Sequence, residues 1–300
     1  MKAFLQCSLK PATVTTYTHH WNKFVQFLSA FQIEATMPID SSTLAMFVAH
    51  LHNNGLKYST IRTYLSAVSF LHKLKEIPDN TNSLLVTKTL QGITNNVPSH
   101  SMPLLPITRS NLHLLVRTIP LAVRSPYLQC MLKALFLLVF HACMRAGEAV
   151  VSSEDYHTLN ISHVQEVVHN DKQAFKLTFP SYKHCNESTT TLLLPGQEPQ
   201  VCPVLALRTY LQCRGNHQGP LFLNENKLPV TRSAFSSHLK SCLRIAGLPP
   251  HRYNTHSFRI GRATQLAEDN APQSVIQSVG RWHSSAYQKY IRPTSSQLPS

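Results

Sequence analysis

Residues 127–148, YLQCMLKALFLLVFHACMRAGE, join an apolar segment to a charged motif. The apolar part, Tyr127 to Phe140, predicts a helix buried in a protein core. Arg145 follows closely, and at the start of the next helix its planar guanidinium would be held rigidly enough to bind two phosphate oxygens. Glu148 shares that helix face and can orient the guanidinium, although a purely structural Arg–Glu pair is the alternative.

The sequence after this motif predicts a small antiparallel sheet and two more core helices. The β-type runs lie at about 161–168, 174–179 and 189–194, and the helices at 203–214 and 231–246. Lys183 lies in the turn between the second and third runs, where its flexible stem could reach over the sheet edge to protonate a leaving oxygen. An ordinary exposed turn lysine is the alternative.

Two charged side chains near residue 256 form the next candidate group. His256 and Arg259 are three residues apart, so in a helical turn they lie on one face and can address one phosphate together. Gly261, close by, keeps the surrounding surface small. Pro272 opens another predicted helix, and Gly280 is expected to be its C-cap.

Trp282 begins a last short segment that carries two tyrosines, Tyr287 and Tyr290. These are again three residues apart, and either phenol could be a nucleophile, although two rings at helical spacing also suit a core. Cleavage of a phosphodiester needs cations on the non-bridging oxygens, a nucleophile and a proton donor for the leaving oxygen. The candidate residues together supply all three.

The N-terminal third predicts a compact bundle of about four helices. Apolar residues recur every three or four positions in segments at about 12–31, 40–55, from 59 onward and, more weakly, 83–93. Five cations lie mainly away from the apolar stripes: Lys23, Lys57, Arg62, Lys73 and Lys88. They could contact DNA phosphates, and a solvated helix face is the alternative.

A proline-containing segment separates this bundle from the rest of the chain. Residues 95–109, NNVPSHSMPLLPITR, contain three prolines and no helical periodicity, which predicts an extended linker. We therefore expect a helical DNA-binding domain at 1–95, a linker at 96–108 and a catalytic domain at 109–300.

Composition narrows the class of protein. Twenty-eight Lys and Arg against 14 Asp and Glu give a formal charge of +14, spread along the chain. This distribution is typical of a folded protein that grips a polyanion, with a merely basic soluble protein as the alternative. The seven cysteines form no C-x-x-C pair, which indicates reduced thiols of an intracellular protein, and no zinc-type Cys/His spacing is present, so no metal is expected.

Targeting signals are not evident in the sequence. The N-terminal segment lacks the apolar run of a signal peptide, and the longest apolar stretch, Ala134 to Phe140, is too short to span a bilayer. We expect a protein that is neither secreted nor inserted in a membrane.

In chain order, the motifs ACMRAGE, a turn lysine, THSFR, GRW and YQKYIR resemble those of the tyrosine recombinase/integrase family. The resemblance covers nearly the whole chain. It implies a SAM-like core-binding domain for the helical front and, from about residue 105 onward, an α+β catalytic domain that is mainly helical with a small antiparallel sheet. The stretches HSFRIG and GRWHSSAYQKYIR look most like recombinases of eukaryotic mobile elements of the DIRS or Crypton kind.

The resemblance also implies roles for the cations. Arg145 and Arg259 correspond to the phosphate clamps of the family, and Lys183 to the general acid that protonates the 5′ oxygen. Because the turn around Lys183 varies in length, Lys172 and Lys176 are alternatives for this role.

For the remaining motif residues, the resemblance implies that His256 assists proton transfer and that Trp282 donates through its indole N–H near the phosphate. Tyr290 would be the nucleophile that forms a 3′-phosphotyrosine, with Tyr287 as the alternative. Double-stranded DNA is the implied partner, and no metal, ATP or other cofactor is expected.

The family precedent implies a tetramer on two DNA sites and, in a eukaryote, a nuclear location. Only ten residues, Ile291 to Ser300, follow Tyr290, whereas many family members dock a longer C-terminal helix on a neighbouring subunit, which puts cyclic assembly in question. Two other functions are kept open: a non-catalytic DNA-binding protein derived from a mobile element, and a type IB topoisomerase that relaxes DNA.

Overall fold

The computed structural model describes Leu9 and residues 11–34, 36–96, 102–152, 158–179 and 189–292. The chain divides into two compact units, an N-terminal unit (Met1–Ser101) and a C-terminal unit (Met102–Ser300). Among the helices in these ranges, none has the length and apolar character needed to cross a membrane.

The N-terminal unit is the predicted helical bundle. Its helices are α1 (Pro11–Ala30), α2 (Ser41–Asn53), α3 (Tyr58–Leu74) and α4 (Leu84–Asn96). Three phenylalanines form the centre of the core, because the Phe47 ring lies 4.9 Å from Phe24 and 5.2 Å from Phe27. Asp40 caps α2 by accepting a hydrogen bond from the Thr43 N–H at 2.9 Å. The apolar stripes therefore predicted this unit correctly.

Helices dominate the C-terminal unit. They are α5 (Arg109–Ala122), α6 (Pro126–His141), α7 (Ala146–Ala149), α8 (Pro203–Arg214), α9 (Arg232–Ile245), α10 (Ser257–Glu268), α11 (Gln273–Gly280) and a 3₁₀ helix at Ser285–Tyr290. Every residue of α6 from Ala134 to His141 is buried, as its apolar sequence predicted.

A three-stranded antiparallel sheet in the order β1-β2-β3 packs against these helices. The strands are β1 (Val164–His169), β2 (Lys172–Phe179) and β3 (Thr190–Pro195). Leu177 of β2 pairs with Val164, and Phe179 pairs with Thr190. The buried side chains of Phe175, Leu177 and Phe179 alternate along β2, so one face of the strand covers the core. The predicted sheet is confirmed.

Helix α5 was not predicted. Thr108 caps it by accepting from the Asn111 N–H at 3.2 Å, and Leu112 and Leu115 face the core. Prolines precede the helix, and Pro120 interrupts its last turn, so the helical pattern is short and weak in the sequence.

Residues 102–108, expected to be part of a linker, instead pack within the C-terminal unit. The Leu105 N–H donates to the Arg252 carbonyl at 2.9 Å, and the Ile107 N–H donates to the Ser257 carbonyl at 3.0 Å. A Cβ at Gly261 would overlap the Ile107 backbone, so this close approach requires glycine. The segment thereby packs against the start of α10 and the residues just before it.

Candidate active site

Four of the predicted site residues meet in the C-terminal unit. The Tyr290 ring centre lies 5.2 Å from that of His256 and 5.1 Å from that of Trp282. The guanidinium carbon of Arg259 lies 4.3 Å from the centre of the Trp282 ring and 5.5 Å from that of Tyr290. The start of α10, the end of α11 and the 3₁₀ helix thus bring one cation, one imidazole and two aromatic rings together.

Arg259 is fixed by backbone carbonyls. Its side chain is fully buried. Nη1 donates to the Cys143 carbonyl, and Nη2 donates to the Gly280 carbonyl at 2.6 Å. Among the residues that the structure describes, its Nε has no hydrogen-bond partner. The guanidinium is therefore held rigidly and retains a free donor.

Two non-glycine residues in the left-handed region shape this anchor. Cys143, just after α6, has φ 48°, and Arg281, just after α11, has φ 54°. Residues other than glycine rarely adopt such φ values. Residues that do so concentrate at functional sites, where surrounding contacts hold the backbone in place. The turn at Cys143 presents the carbonyl that Arg259 contacts.

The end of α11 differs from the prediction. Gly280 was expected to be the C-cap, but it is the last helical residue, and Arg281 takes the left-handed conformation instead. Glycine is still required at 280, because a Cβ there would overlap the Trp282 ring. A glycine is thus needed at the end of this helix, but it makes room for the Trp282 ring and does not adopt the left-handed backbone conformation.

Arg145 and Glu148 form the predicted pair. Arg145 Nη1 lies 2.9 Å from Glu148 Oε1, and the Arg145 N–H donates to Oε2 at 2.8 Å, which caps the short helix α7. The Arg145 side chain is 28% exposed, whereas that of Glu148 is 5% exposed. The carboxylate therefore holds a guanidinium that is still accessible to a ligand.

Arg281 was not among the predicted site residues, but it belongs to the same ion-pair network. Its Nη2 donates to Glu148 Oε2 at 2.6 Å, and its side chain is 0% exposed. The guanidinium carbon also lies 4.0 Å from the centre of the Phe179 ring. The available signal was a cation between Gly280, the expected C-cap, and Trp282, a candidate site residue.

The charges of the site follow from burial and proximity. Burial opposes ionisation of Glu148, but the nearby Arg281, Arg259 and Arg145 outweigh it, so the pKa of Glu148 is lowered. Burial, then the positive charges of Arg259 and Arg145, lower the pKa of His256. At neutral pH the site therefore contains a carboxylate, three guanidinium groups and a neutral imidazole, which leaves it positively charged.

The two candidate tyrosines occupy different environments. Tyr287 is 6% exposed and packs in a small apolar cluster with Cys143, Ala263 and Leu266. Tyr290 is half-buried beside His256, and its carbonyl accepts from Thr264 Oγ1 at 3.4 Å. The Tyr290 ring therefore lies next to the cationic site, whereas the Tyr287 ring is part of the buried apolar cluster.

Comparison with known proteins identifies the chain. The model of the phage integrase family matches residues 115–296, which include the whole site, and that of the phage integrase N-terminal SAM-like domain matches residues 3–76. The chain belongs to the phage integrase family. It is a tyrosine recombinase, an enzyme that breaks and rejoins DNA.

Relatives of this recombinase agree in extent and fold. The tyrosine recombinase XerC of Psychromonas ingrahamii is 24% identical over 284 residues, which are 91% of this chain and 83% of XerC. The XerH recombinase bound to palindromic difH substrate has a TM-score of 0.67 at 18% identity, covering 95% of this chain and 77% of XerH. For the Tn1549 transposon integrase with transposon right end DNA, the TM-score is 0.64 at 12% identity, covering 98% and 93%.

The lysine predicted as general acid, Lys183, lies outside the described residues. Its alternatives, Lys172 and Lys176, are exposed on β2. Both lie on the strand face opposite that of Phe179, whose ring contacts Arg281. The recombinase therefore presents neither alternative on the β2 face that borders the site.

All five cations predicted to bind DNA are exposed on the N-terminal unit. They are Lys23 in α1, Lys57 before α3, Arg62 and Lys73 in α3, and Lys88 in α4. Arg62 and Lys73 line a cleft of about 560 Å³ together with Tyr17 and Tyr58. Lys73 also lies 3.7 Å from Asp79, so part of its charge is balanced within the recombinase.

Proposed function

We propose that Tyr290 attacks a DNA phosphodiester to form a 3′-phosphotyrosine, in site-specific recombination or integration. One observation carries this assignment: the Tyr290 ring is flanked by His256 at 5.2 Å, by Trp282 at 5.1 Å and by the Arg259 guanidinium at 5.5 Å. A nucleophile beside an imidazole and a fixed cation is the arrangement that phosphoryl transfer requires.

Each neighbour has a chemical task. Arg259 and the accessible Arg145 neutralise the non-bridging oxygens as charge builds in the transition state. His256, neutral because its pKa is lowered, can take a proton during the attack. Trp282 Nε1 is buried without a hydrogen-bond partner among the described residues, so it is available to donate to a phosphate oxygen.

The proposed cleavage step uses only protein side chains and DNA. The bond between the Tyr290 oxygen and phosphorus forms while the bond to the 5′ oxygen breaks. The phenol proton leaves with assistance from His256, and the 5′ oxygen takes a proton from Lys183, the proposed acid. A 5′ hydroxyl from another strand reverses the step and rejoins the DNA, so the ester stores the bond energy.

The test uses nicked suicide substrates from the termini of the DNA that encodes the protein. We expect wild type to form a covalent protein–DNA complex and Tyr290→Phe to form none. Tyr287→Phe is the matched control, because it removes a hydroxyl three residues away and should retain adduct formation. An adduct in Tyr290→Phe would show that the nucleophile is misassigned, and none in wild type would refute the proposed function.

We further infer that this recombinase acts on a eukaryotic mobile element of the DIRS or Crypton kind, in the nucleus, as a tetramer on two DNA sites. The HSFRIG and GRWHSSAYQKYIR stretches support the first point. The DNA-bound recombinases that share its fold support DNA as the partner.

The assay for this finer proposal is strand exchange between two duplexes, together with native mass spectrometry of the DNA complex. Exchange with four protein copies is the expected result. Relaxation of one supercoiled duplex by a single copy would instead assign the topoisomerase function. Sequencing the DNA on either side of the gene would show whether it lies in a repeated eukaryotic element.

A further inference from the structure

We infer that Arg281 is a positioning residue, which holds both phosphate-binding arginines in place through Glu148 and through a shared backbone carbonyl. This inference rests on the proposed function, since it explains how the cations of that site are kept ready. Arg281 does not itself contact DNA in this scheme, because both of its Nη atoms already donate to buried backbone carbonyls and to Glu148.

The contacts of Arg281 form a dense buried set. Nη1 donates to the Ala142 carbonyl at 3.0 Å and to the Val279 carbonyl at 3.2 Å. Nη2 donates to Glu148 Oε2 at 2.6 Å and to the Cys143 carbonyl at 3.5 Å. One side chain thus ties the end of α11 to the turn after α6 and to the carboxylate in α7.

Glu148 is shared between two guanidinium groups. Oε1 contacts Arg145 Nη1, whereas Oε2 contacts Arg281 Nη2 and the Arg145 N–H. With Arg281 present, two cations balance the carboxylate, and Arg145 retains attraction for a phosphate. Without Arg281, the carboxylate would hold Arg145 more strongly and compete with the phosphate for it.

Arg259 depends on the same turn. The Cys143 carbonyl accepts from both Arg259 and Arg281, and the Gly280 carbonyl, one residue before Arg281, accepts from Arg259. The next residue, Trp282, lies against the Arg259 guanidinium. The left-handed backbone of Arg281 therefore lets three successive residues, 280–282, contact Arg259 or the Cys143 carbonyl that it shares with Arg281.

Loss of Arg281 should have different effects on cleavage if the residue only stabilises the fold and if it positions the other arginines. If Arg281 only stabilised the fold, its loss would reduce the fraction of active molecules, and each survivor would cleave at the normal rate. If Arg281 positions the clamps, every folded molecule would cleave more slowly. Single-turnover kinetics separate the two, because the amplitude reports the active fraction and the rate constant reports the chemistry.

The experiment compares Arg281→Met, Arg281→Lys and the double variant Arg281→Met with Glu148→Gln on the nicked substrate at saturating DNA. We expect the rate of Arg281→Met to fall about tenfold, the size of a coupling within one ion-pair network. Its DNA affinity, measured with Tyr290→Phe added, should stay within about twofold, because the exposed cations supply most of the attraction for DNA and are unchanged. Arg281→Lys should recover part of the rate, since it restores a charge beside Glu148.

The double variant tests the route through Glu148. It removes both buried charges, so neither is left unpaired. If Glu148 captures Arg145 when Arg281 is absent, the double variant should cleave faster than Arg281→Met alone. A double variant that is slower than Arg281→Met would overturn this route, and an unchanged rate with reduced amplitude in Arg281→Met would overturn positioning altogether.

A second readout does not depend on cleavage. Inorganic phosphate should slow the modification of Arg145 by phenylglyoxal, followed by mass spectrometry, in wild type and far less in Arg281→Met. Equal protection in both proteins would overturn the inference. Absence of a covalent adduct in wild type would refute the proposed function only, and the phosphate protection would still decide the role of Arg281.

Discussion

The two units of this recombinase handle charge in opposite ways. In the described part of the N-terminal unit, the buried polar side chains are His20, Thr43, His72 and Thr81. Its five candidate DNA-binding cations are all exposed. The residues described in the C-terminal unit instead include one buried carboxylate and three buried guanidinium groups, which are Glu148, Arg214, Arg259 and Arg281.

This difference suggests that the exposed cations contribute mainly to DNA affinity and the buried cations mainly to the rate of the reaction. Exposed cations act through a screened, long-range attraction that needs no fixed geometry, so each contributes modestly to binding. Buried cations are held by carbonyls and a carboxylate before DNA arrives, so they need little reorganisation during the reaction. We therefore expect substitutions in the N-terminal unit to change salt dependence and those in the site to change rate.

The C-terminal unit contains the same contrast on a smaller scale. Arg214 donates to the carbonyls of Leu221 at 2.8 Å and Pro220 at 2.9 Å, and also to those of Gly215 and His217. Arg259 has fewer carbonyl partners and lies against the Trp282 and Tyr290 rings. Burial alone therefore does not identify a catalytic arginine, and the neighbouring side chains do.

The largest expected effect is that of Arg259→Lys. Lysine retains the charge but loses the planar fork that contacts the Cys143 and Gly280 carbonyls, so the cation is no longer held in place and the phosphate loses the free Nε donor. We expect the single-turnover cleavage rate to fall by about a thousandfold. A rate within tenfold of wild type, in protein that still binds DNA, would remove Arg259 from the clamp.

Arg214→Lys is the matched substitution at the structural arginine. It leaves several buried carbonyls without donors, so we expect the free energy of unfolding to fall by about 3 kcal/mol. The cleavage rate of the folded fraction should stay at the wild-type value. Chemical unfolding and single-turnover kinetics measure the two quantities, and a large loss of rate at full amplitude would contradict the contrast with Arg259.

His141, the buried last residue of α6, should make the stability of the fold depend on pH. Burial, then the charge of Arg262, lowers its pKa from 6.5 to about 3. Since the folded form binds the proton more weakly than the unfolded chain, this residue stabilises the fold above pH 6.5, and the contribution is lost as pH falls towards 3. Between pH 7 and pH 5 the loss should be about 2 kcal/mol.

The measurement is chemical unfolding of wild type and His141→Gln at both pH values. The difference between the two proteins isolates His141, because other titrating groups, such as His256, contribute to both. If both proteins lose the same free energy between pH 7 and pH 5, His141 is not the residue responsible.

The smallest expected effect belongs to the N-terminal unit. Lys88→Gln removes one exposed charge, so we expect DNA affinity to weaken by a few-fold and the slope of log affinity against log salt to decrease by about one. The cleavage rate at saturating DNA should not change. Lys88→Arg keeps the charge and is the control, and an unchanged slope in Lys88→Gln would indicate a solvated helix face instead of a DNA contact.

Local patterns explain which predictions succeeded. The helices α1 to α4 and α6 could be predicted because an apolar face repeats every three or four residues, whereas α5 was missed because prolines border and interrupt it. The pairing of Arg145 with Glu148 was predictable, since its members are three residues apart.

The order of motifs along the chain was enough to indicate a site that binds and cleaves a phosphodiester, because residue type and short spacing are properties of sequence. Folding alone decided which groups share a carboxylate: Arg281 and Glu148 are 133 residues apart, and no local pattern links them. Folding also decided that Gly280 makes room for a ring and that Tyr290, not Tyr287, lies beside His256. Such contacts arise only when distant segments pack together, since burial and charge balance depend on the whole set of neighbours.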